Sequence, residues 1–428
     1  MIVRFTVSNF RSYKKETILD FVSSSKITKP ADHERRFDRL SVVKNIGIFG
    51  SNAFGKSNIL NALASMVNLV VNGNCSENMS FIDTPNVPTK FDMVFLTDDS
   101  KFYEYSFSIK KENIITPWVV MDESLYQLYL NGKSELIYSK HDGLVDIDND
   151  ALVIFQNAYK NVNDQLFLKY INANERFIRD SKLSKLLRKV YNFFLLNLAF
   201  NLDNGPMLFL INKDNVAKIT SYLKRYDVGM ENAQFQAASP DEISKITSDP
   251  IFEFIRNEFR NKSNMKEQYF SDGKNIYVVS LQNGTYGIQK LIFKHRGVEN
   301  PFCYGYESNG TQRLFTLLAL LFDEKNANRT IIIDEIERSA FSGIASQLIK
   351  DFQEEFKDTN AQLVFTSHLN SLMREVLRRD EVYFVDKNSF GESILYPLSS
   401  FKPLTRENIS KEFLGGSYGA VPRIGVKI

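Results

Sequence analysis

Residues 45–61 read NIGIFGSNAFGKSNILN: an apolar run, a glycine-framed loop, and a start with helical character. Gly50 to Ser57 matches G-x-x-x-x-G-K-[ST], with the strand before it and the helix after it that the motif needs. The glycines let a backbone wrap phosphates without Cβ clashes, and the N–H groups at the helix start add donors and a favourable dipole. Lys56 is then placed to reach the β- and γ-phosphates of a nucleotide, and Ser57 to offer its hydroxyl to Mg2+.

Upstream of this loop, Ile2, Phe5, Val7 and Phe10 suggest one strand and Thr17 to Val22 a second, while the charged stretch KPADHERRFDRL (29–40) reads as a loop. Downstream, Ser57 to Val70 has helical character, and strands follow at Phe91 to Leu96, Lys101 to Ile109, Trp118 to Met121 and Leu125 to Leu130, ahead of an Asn131-Gly132 turn. Between 150 and 265, runs such as NERFIRDSKLSKLLRKVYNFFLLNLAF and DNVAKITSYLKRYDVGM fit helices with apolar stripes, without sustained heptads. Strand-like segments return at Ile276 to Val279 and Ile288 to Lys294, and 302–428 alternates helices and strands in an α/β manner.

Three further segments carry chemistry. RTIIIDEIER (329–338) reads as a buried strand ending in Asp334-Glu335, which would project into a ligand crevice at its carboxyl end. An acidic pair alone reads equally as surface charge; with the phosphate loop, Asp334 suits Mg2+ and Glu335 the attacking water. His368 follows the strand Gln362 to Thr366 and suits a γ-phosphate contact, whereas His33, His141 and His295 have no ligand-like spacing. In YESNGTQRLFTLLALLF (306–322), Ser308, Asn309 and Gly310 stand directly before an apolar helix. They form either a plain N-cap or a second anion-binding helix start, which could serve a partner's nucleotide.

Composition narrows the class. The chain has 428 residues, 43% hydrophobic and 24% charged, with a formal net charge of +2, so no global field argues for or against nucleic acid. The clusters RKV (188–190) and LRRD (377–380) suit solvated helix faces as well as a polyanion. Cys75 and Cys303 match no metal-ligand spacing and read as incidental thiols. The opening residues lack a signal peptide's apolar core, and no run approaches the ~18 apolar residues of a membrane span, so a cytoplasmic location is expected.

Taken in order, GSNAFGKS, ESNGTQRL, IIIDEIE and FTSH resemble the ABC-type head ATPases, and among them the stand-alone AAA-family ATP-binding proteins related to SMC-like and OLD-like enzymes. The opening FTVSNFRSYKKE and the tail from LRRDEVYFVDK to GGSYGAVP carry the same likeness. It implies an α/β, ABC-type P-loop ATPase head with a mixed central sheet, an antiparallel β subdomain and a helical insertion. Residues 1–149 and 266–428 would form the two parts of the head, and 150–265 the mainly helical insertion. Gly50, Ser51, Asn52, Ala53, Phe54, Gly55, Lys56 and Ser57 would be the Walker A loop, with Asn58 beside it. Asp334 would be the Walker B aspartate and Mg2+ ligand with Ser57, Glu335 the catalytic glutamate, and His368 the switch histidine. Ser308, Asn309 and Gly310 would be the signature element capping ATP in the opposite subunit, while Asn9, Arg11 and Ser12 would lie near the nucleotide.

The likeness further implies ATP-driven pairing of heads, as a homodimer or a higher even-numbered oligomer, and a separate effector such as a nuclease or toxin in anti-phage abortive infection. A repair-type ATPase acting directly on nucleic acid, and a slow-turnover ATP-dependent scaffold, remain as alternatives. Three departures stand out. Glu307 replaces the leucine that opens the signature of transporters. Glu337 leads into Arg338, Ser339, Ala340, Phe341 and Ser342 where E-x-x-L-H-P is common. No glutamine identifies a Q-loop. The 60 residues after His368 are too few for the further nuclease domain of large OLD enzymes.

Overall fold

The computed structural model describes residues 1–25, 27, 30–73, 79–111, 118–141, 143–147, 159, 162–174, 182–202, 213–261, 267–282, 284–338, 342–402 and 409–421. Cys75, Ser339, Ala340, Phe341, the 175–181 part of the expected helical run, and tail residues 403–408 and 422–428 lie outside these. Cys303 is a free cysteine. Two compact units result: 1–203 with 325–337 and 346–428, and 204–324 with 338–345.

In chain order, strands β1 Ile2–Ser8, β2 Thr17–Asp20, β3 Glu34–Phe37, β4 Leu40–Val43 and β5 Asn45–Phe49 precede helix α1 Lys56–Val71. Strands β6 Thr89–Leu96, β7 Phe102–Lys110, β8 Val119–Leu128, β9 Ser134–His141 and β10 Leu144–Asp146 follow. Then come α2 Phe167–Ala173, α3 Lys182–Leu196 and β11 Leu198–Asn201. The second unit contributes α4 Lys213–Arg225, β12 Met230–Ala237, α5 Pro240–Ser248, α6 Pro250–Asn261, β13 Glu267–Ser271, β14 Ile276–Gln282, β15 Thr285–His295, β16 Phe302–Cys303 and α7 Asn309–Leu321. The chain continues with β17 Thr330–Ile333, α8 Ser342–Glu355, β18 Gln362–Ser367, α9 Leu372–Glu375, β19 Val382–Lys387, β20 Ser393–Pro397 and α10 Ile409–Leu414.

The first unit has two large sheets. The central one runs β11-β17-β18-β5-β19-β20, parallel throughout except for the antiparallel pair β19–β20. Every residue of β5, β17 and β18 is buried, as expected of strands covered on both faces. The other runs β10-β9-β8-β7-β6-β1-β2 and is antiparallel. Its strands alternate, with Phe5 and Val7 buried on β1 while Arg4 is exposed. Phe95 of β6 stacks on Phe193 of α3 with ring centroids 4.2 Å apart, and both join a core that includes Ile48, Leu60 and Tyr105. This mixed central sheet with an antiparallel partner is the α/β architecture expected from the sequence.

Two buried polar side chains tie these layers together. Gln362, fully buried at the start of β18, accepts from Ile2 N at 2.7 Å and Thr330 Oγ1 at 2.8 Å, and donates to Ile2 O at 2.9 Å and Val43 O at 3.1 Å. Its amide is thus fully satisfied across both sheets. Glu123 accepts from Tyr105 and Tyr138 hydroxyls and from Phe167 and Leu168 N, which fixes the start of α2 against β8.

The second unit holds an antiparallel sheet in the order β12-β15-β14-β13, with β16 on β15. Phe252, Ile255 and Phe259 of α6 pack with Val279 and Ile288 of this sheet. Leu314, Phe315, Leu317 and Leu318 of α7 are buried, with Phe315 edge-on to Phe293 at 5.2 Å.

The sequence expectation fails locally in two ways. ERRF (34–37), read as loop because of its charge, is a strand paired with β4, with Arg35 and Arg36 exposed and Glu34 held by Arg378. LAFN (198–201) ends a helix-like run but pairs in parallel with β17, and Met230–Ala237 pairs with β15. Pairing partners distant in the chain decide such segments, and a local pattern does not contain them.

Asp92 of β6 supplies a test of the antiparallel sheet. Burial, then the neighbouring Glu104, push its carboxyl up to about 7. The folded state therefore holds this proton more tightly, so the group's contribution to stability falls as pH climbs from the ordinary carboxylate range to about 7 and is level above it. Asp92→Asn is expected to raise the thermal unfolding midpoint relative to wild type at about pH 8 and to change it little at about pH 4. Equal shifts at both values would show that ionisation of Asp92 is not the cause.

Candidate nucleotide site

The site lies at the carboxyl ends of β5, β17 and β18, where a parallel sheet opens its ligand crevice. β5 ends at Phe49, Gly50 to Gly55 form the loop, and Lys56 is the first residue of α1. Close approach dictates both glycines. A Cβ at Gly50 would stand 2.4 Å from Val385 O, and one at Gly55 would stand 2.4 Å from Ser393 Oγ and 2.8 Å from Ser12 Oγ. Gly55 also adopts φ 112, and Ala53 between them φ 62. Lys56 is 6% exposed, and its Nζ donates to Gly50 O at 2.8 Å and Ser51 O at 3.1 Å, which folds the loop around the ammonium. Burial lowers the Lys56 pKa, while Asp334, Glu335 and Glu337 act in the opposite direction. The Ser57 hydroxyl makes no hydrogen bond among the described residues.

Segments from both ends of the chain brace this loop. Ser393 Oγ donates to Phe54 O at 2.5 Å, Asn58 Nδ2 to Ser12 Oγ at 2.8 Å, and Tyr13 OH to Gly55 O at 3.0 Å. Ser51 donates from both N and Oγ to Ala420 O, each at 3.0 Å. The residues expected near the nucleotide thus divide. Ser12 sits directly behind Gly55. Arg11 adopts φ 46, donates from its N to Met79 O, and lays its guanidinium 5.6 Å from the Phe10 ring centroid. Asn9 is 2% exposed and spends its amide on Thr84 O, Val87 O, Phe81 N and the Thr84 hydroxyl. It anchors the 81–87 loop, because a buried amide needs all its partners.

Thr366, near the end of β18, shapes the acidic turn. Its hydroxyl donates to Asp334 Oδ1 at 2.5 Å and accepts from Glu335 N at 2.7 Å, while its carbonyl accepts from Ile336 N at 3.1 Å. On the other side, Asp334 N donates to Asn201 O at 3.0 Å. Glu335 is thereby held at φ 50, a conformation that persists for such a residue only where neighbours over-determine it. Its Oε1 lies 4.0 Å from His368 Nε2, with both side chains more than a third exposed. Glu337 Oε1 accepts from His368 N at 2.6 Å, while its Oε2 is buried with no hydrogen-bond partner among the described residues.

The structure thus brings Lys56, Asp334, Glu335 and His368 to one end of one sheet. Ser308, Asn309 and Gly310 belong to the second unit, where Ser308 caps α7: its Oγ accepts from Thr311 N at 3.1 Å. Sequence reasoning passed over Thr366, Glu337, Tyr13 and Ser393. Thr366 left one signal, a polar residue near the end of an otherwise apolar strand, whereas Ser393 meets the loop only through the pairing of β20 with β19.

A glycine-framed loop between a buried strand and a helix, with an acidic turn on a parallel strand of the same sheet, defines a P-loop nucleotide-binding protein. The chain belongs to the family described as AAA domain, putative AbiEii toxin, Type IV TA system, which matches residues 46–374. The matched span runs from β5 past His368. Three solved structures show a backbone likeness. An SMC head bound to the C-winged helix domain of ScpA has 13% identity over 93% of this chain and 99% of that one, with a TM-score of 0.41. The SMC head domain from Thermotoga maritima has 12% identity over 92% and 98%, with a TM-score of 0.35. The Smc head domain with an extended coiled coil bound to the C-terminal domain of ScpA, derived from Pyrococcus furiosus, has 13% identity over 97% and 99%, with a TM-score of 0.34. No protein of curated function matches the sequence.

Gly55→Ala tests the loop geometry. The added methyl meets Ser393 and Ser12, and φ 112 is strained for alanine, so nucleotide affinity should fall by more than about tenfold in a titration with a fluorescent ATP analogue. Ser393→Ala removes one brace and should cost less. Unchanged binding by Gly55→Ala would show that the loop does not cradle the phosphates.

Proposed function

We propose that this chain is a Mg2+-dependent ATPase whose active sites are completed when two copies pair. The supporting observation is the convergence of Lys56 with the Asp334-Glu335 turn and His368, organised by Thr366. Lys56 and the N–H groups at the start of α1 bind the β- and γ-phosphates. Ser57 and Asp334 are hard oxygen donors that would hold Mg2+, and the ion would supply positive charge against that developing on the phosphates. Glu335 orients a water and takes its proton as the oxygen joins the γ-phosphorus and the bond to ADP breaks. His368, beside Glu335, donates toward the γ-phosphate. Ser308, Asn309 and Gly310, at the exposed start of α7, cap the nucleotide held by the second copy.

The likeness of the ordered motifs to ABC-type heads supports pairing, and the family description, AAA domain, putative AbiEii toxin, Type IV TA system, supports a role in anti-phage abortive infection. In this reading, head closure on ATP controls a separate effector protein in the cytoplasm. No helix among the described residues is long and apolar enough to cross a membrane.

Solution mass and ATP turnover, measured together with ATP and Mg2+, test the proposal. Glu335→Gln should lower turnover by about 100-fold or more and accumulate as an ATP-dependent dimer or larger even-numbered assembly. Lys56→Ala should lose both nucleotide binding and assembly. If Glu335→Gln hydrolyses ATP normally and keeps the wild-type mass, Glu335 is not the catalytic carboxylate and the paired-site reading fails.

A further inference from the structure

Glu307 stands immediately before Ser308 and is 7% exposed, an unusual setting for a carboxylate. Its partner is specific: His295 Nε2 lies 2.7 Å from Glu307 Oε1. His295 is the last residue of β15, its backbone pairs with Met230 of β12, and its ring packs at 5.1 Å on Phe302 of β16. The imidazole is therefore held by the sheet, and the carboxylate is held by the imidazole. The backbone of Glu307 is pinned as well. Its N donates to Tyr304 O at 3.1 Å, and Gln312 Nε2 reaches back from α7 to Glu307 O at 3.1 Å and Tyr304 O at 2.9 Å. All these groups lie in the second unit.

We propose that His295 is a positioning residue: through Glu307 it presets the Ser308-Asn309-Gly310 turn to receive a nucleotide carried by a second copy of the chain. The inference rests on the paired-site reading above. A leucine at position 307 would be held by apolar contacts alone. A glutamate there needs a donor, since a buried acceptor left without one carries the full cost of its desolvation, which a turn toward water would relieve. Residue 307 adjoins the Ser308 cap, so any such movement passes directly into the turn. His295 belongs to the second unit and Lys56 with its loop to the first, and none of the hydrogen bonds that shape the loop uses His295.

The test compares variants in a Glu335→Gln background, reading ATP-dependent pairing by analytical ultracentrifugation. His295→Ala should weaken pairing by about tenfold or more. His295→Gln, which keeps an N–H donor, should recover much of the loss. Glu307→Leu added to His295→Ala should also recover pairing, because leucine needs no donor. A fluorescent ATP analogue at protein concentrations too dilute for pairing should bind all variants equally, and their unfolding midpoints should remain close to the parent's. Pairing by His295→Ala as tight as the parent's overturns the proposal. So does a loss shared equally by His295→Gln and the leucine double variant with a fall in unfolding midpoint, which would mark a merely structural pair. If Glu335→Gln alone fails to pair with ATP, the paired-site reading falls first and takes the positioning role with it.

Discussion

Strand β18 is the member from which the nucleotide end of the first unit hangs. Its six residues are all buried, so its polar side chains must be satisfied internally. Gln362 at its start joins the antiparallel sheet to β4 and β17, and Thr366 near its end holds the Asp334-Glu335 turn. Parallel pairing aligns Ile333 with Phe365 and Ser367 with Phe49, so β18 and β5 end level while β17 stops at Phe365, where the Asp334-Glu335 turn begins. A slip of one residue in β18 would face Thr366 away from the acidic turn and leave Gln362 without partners. The register is therefore fixed by polar groups as well as by packing.

Electrostatics at this end follow from that alignment. Lys56 is drawn into a buried position that disfavours its charge, and three carboxylates act to keep it. The strain at Glu335 has the same origin. Bonds from Thr366 on both sides force a sharp turn directly after Asp334, which brings the Glu335 carboxylate toward His368 and not into the sheet.

The chain repeatedly fixes turns with buried carboxylates held by cations or imidazoles. Arg378, wholly buried, donates to Asp380, Glu34 and Ser23 and to the carbonyls of Ile27 and Pro30. Nearby, His33 bonds Glu381, whose carboxyl burial raises while its hydrogen bonds lower it. These charges tie Ser23, Ile27, Pro30 and Glu34 to the turn before β19. His295 with Glu307 follows the same pattern beside α7. Such pairs add specificity of shape more than net stability, because desolvation offsets much of their attraction.

Contiguous residues are enough to specify the phosphate loop, the two strands that carry Asp334-Glu335 and His368, and the mixed α/β architecture. Each was legible because its residues are contiguous: Gly50 to Ser57 needs only its own strand and helix, and runs such as TIII and QLVFTS declare buried strands through composition alone. The tertiary structure alone decided what braces them. Ser393, Tyr13 and Ala420 reach the loop from opposite ends of the chain, Asn9 satisfies its buried amide on the 81–87 segment, and ERRF and LAFN become strands only because partners are supplied elsewhere. Hydrogen bonds between residues hundreds of positions apart leave no periodicity in the sequence, so their geometry appears only when the sheets are assembled.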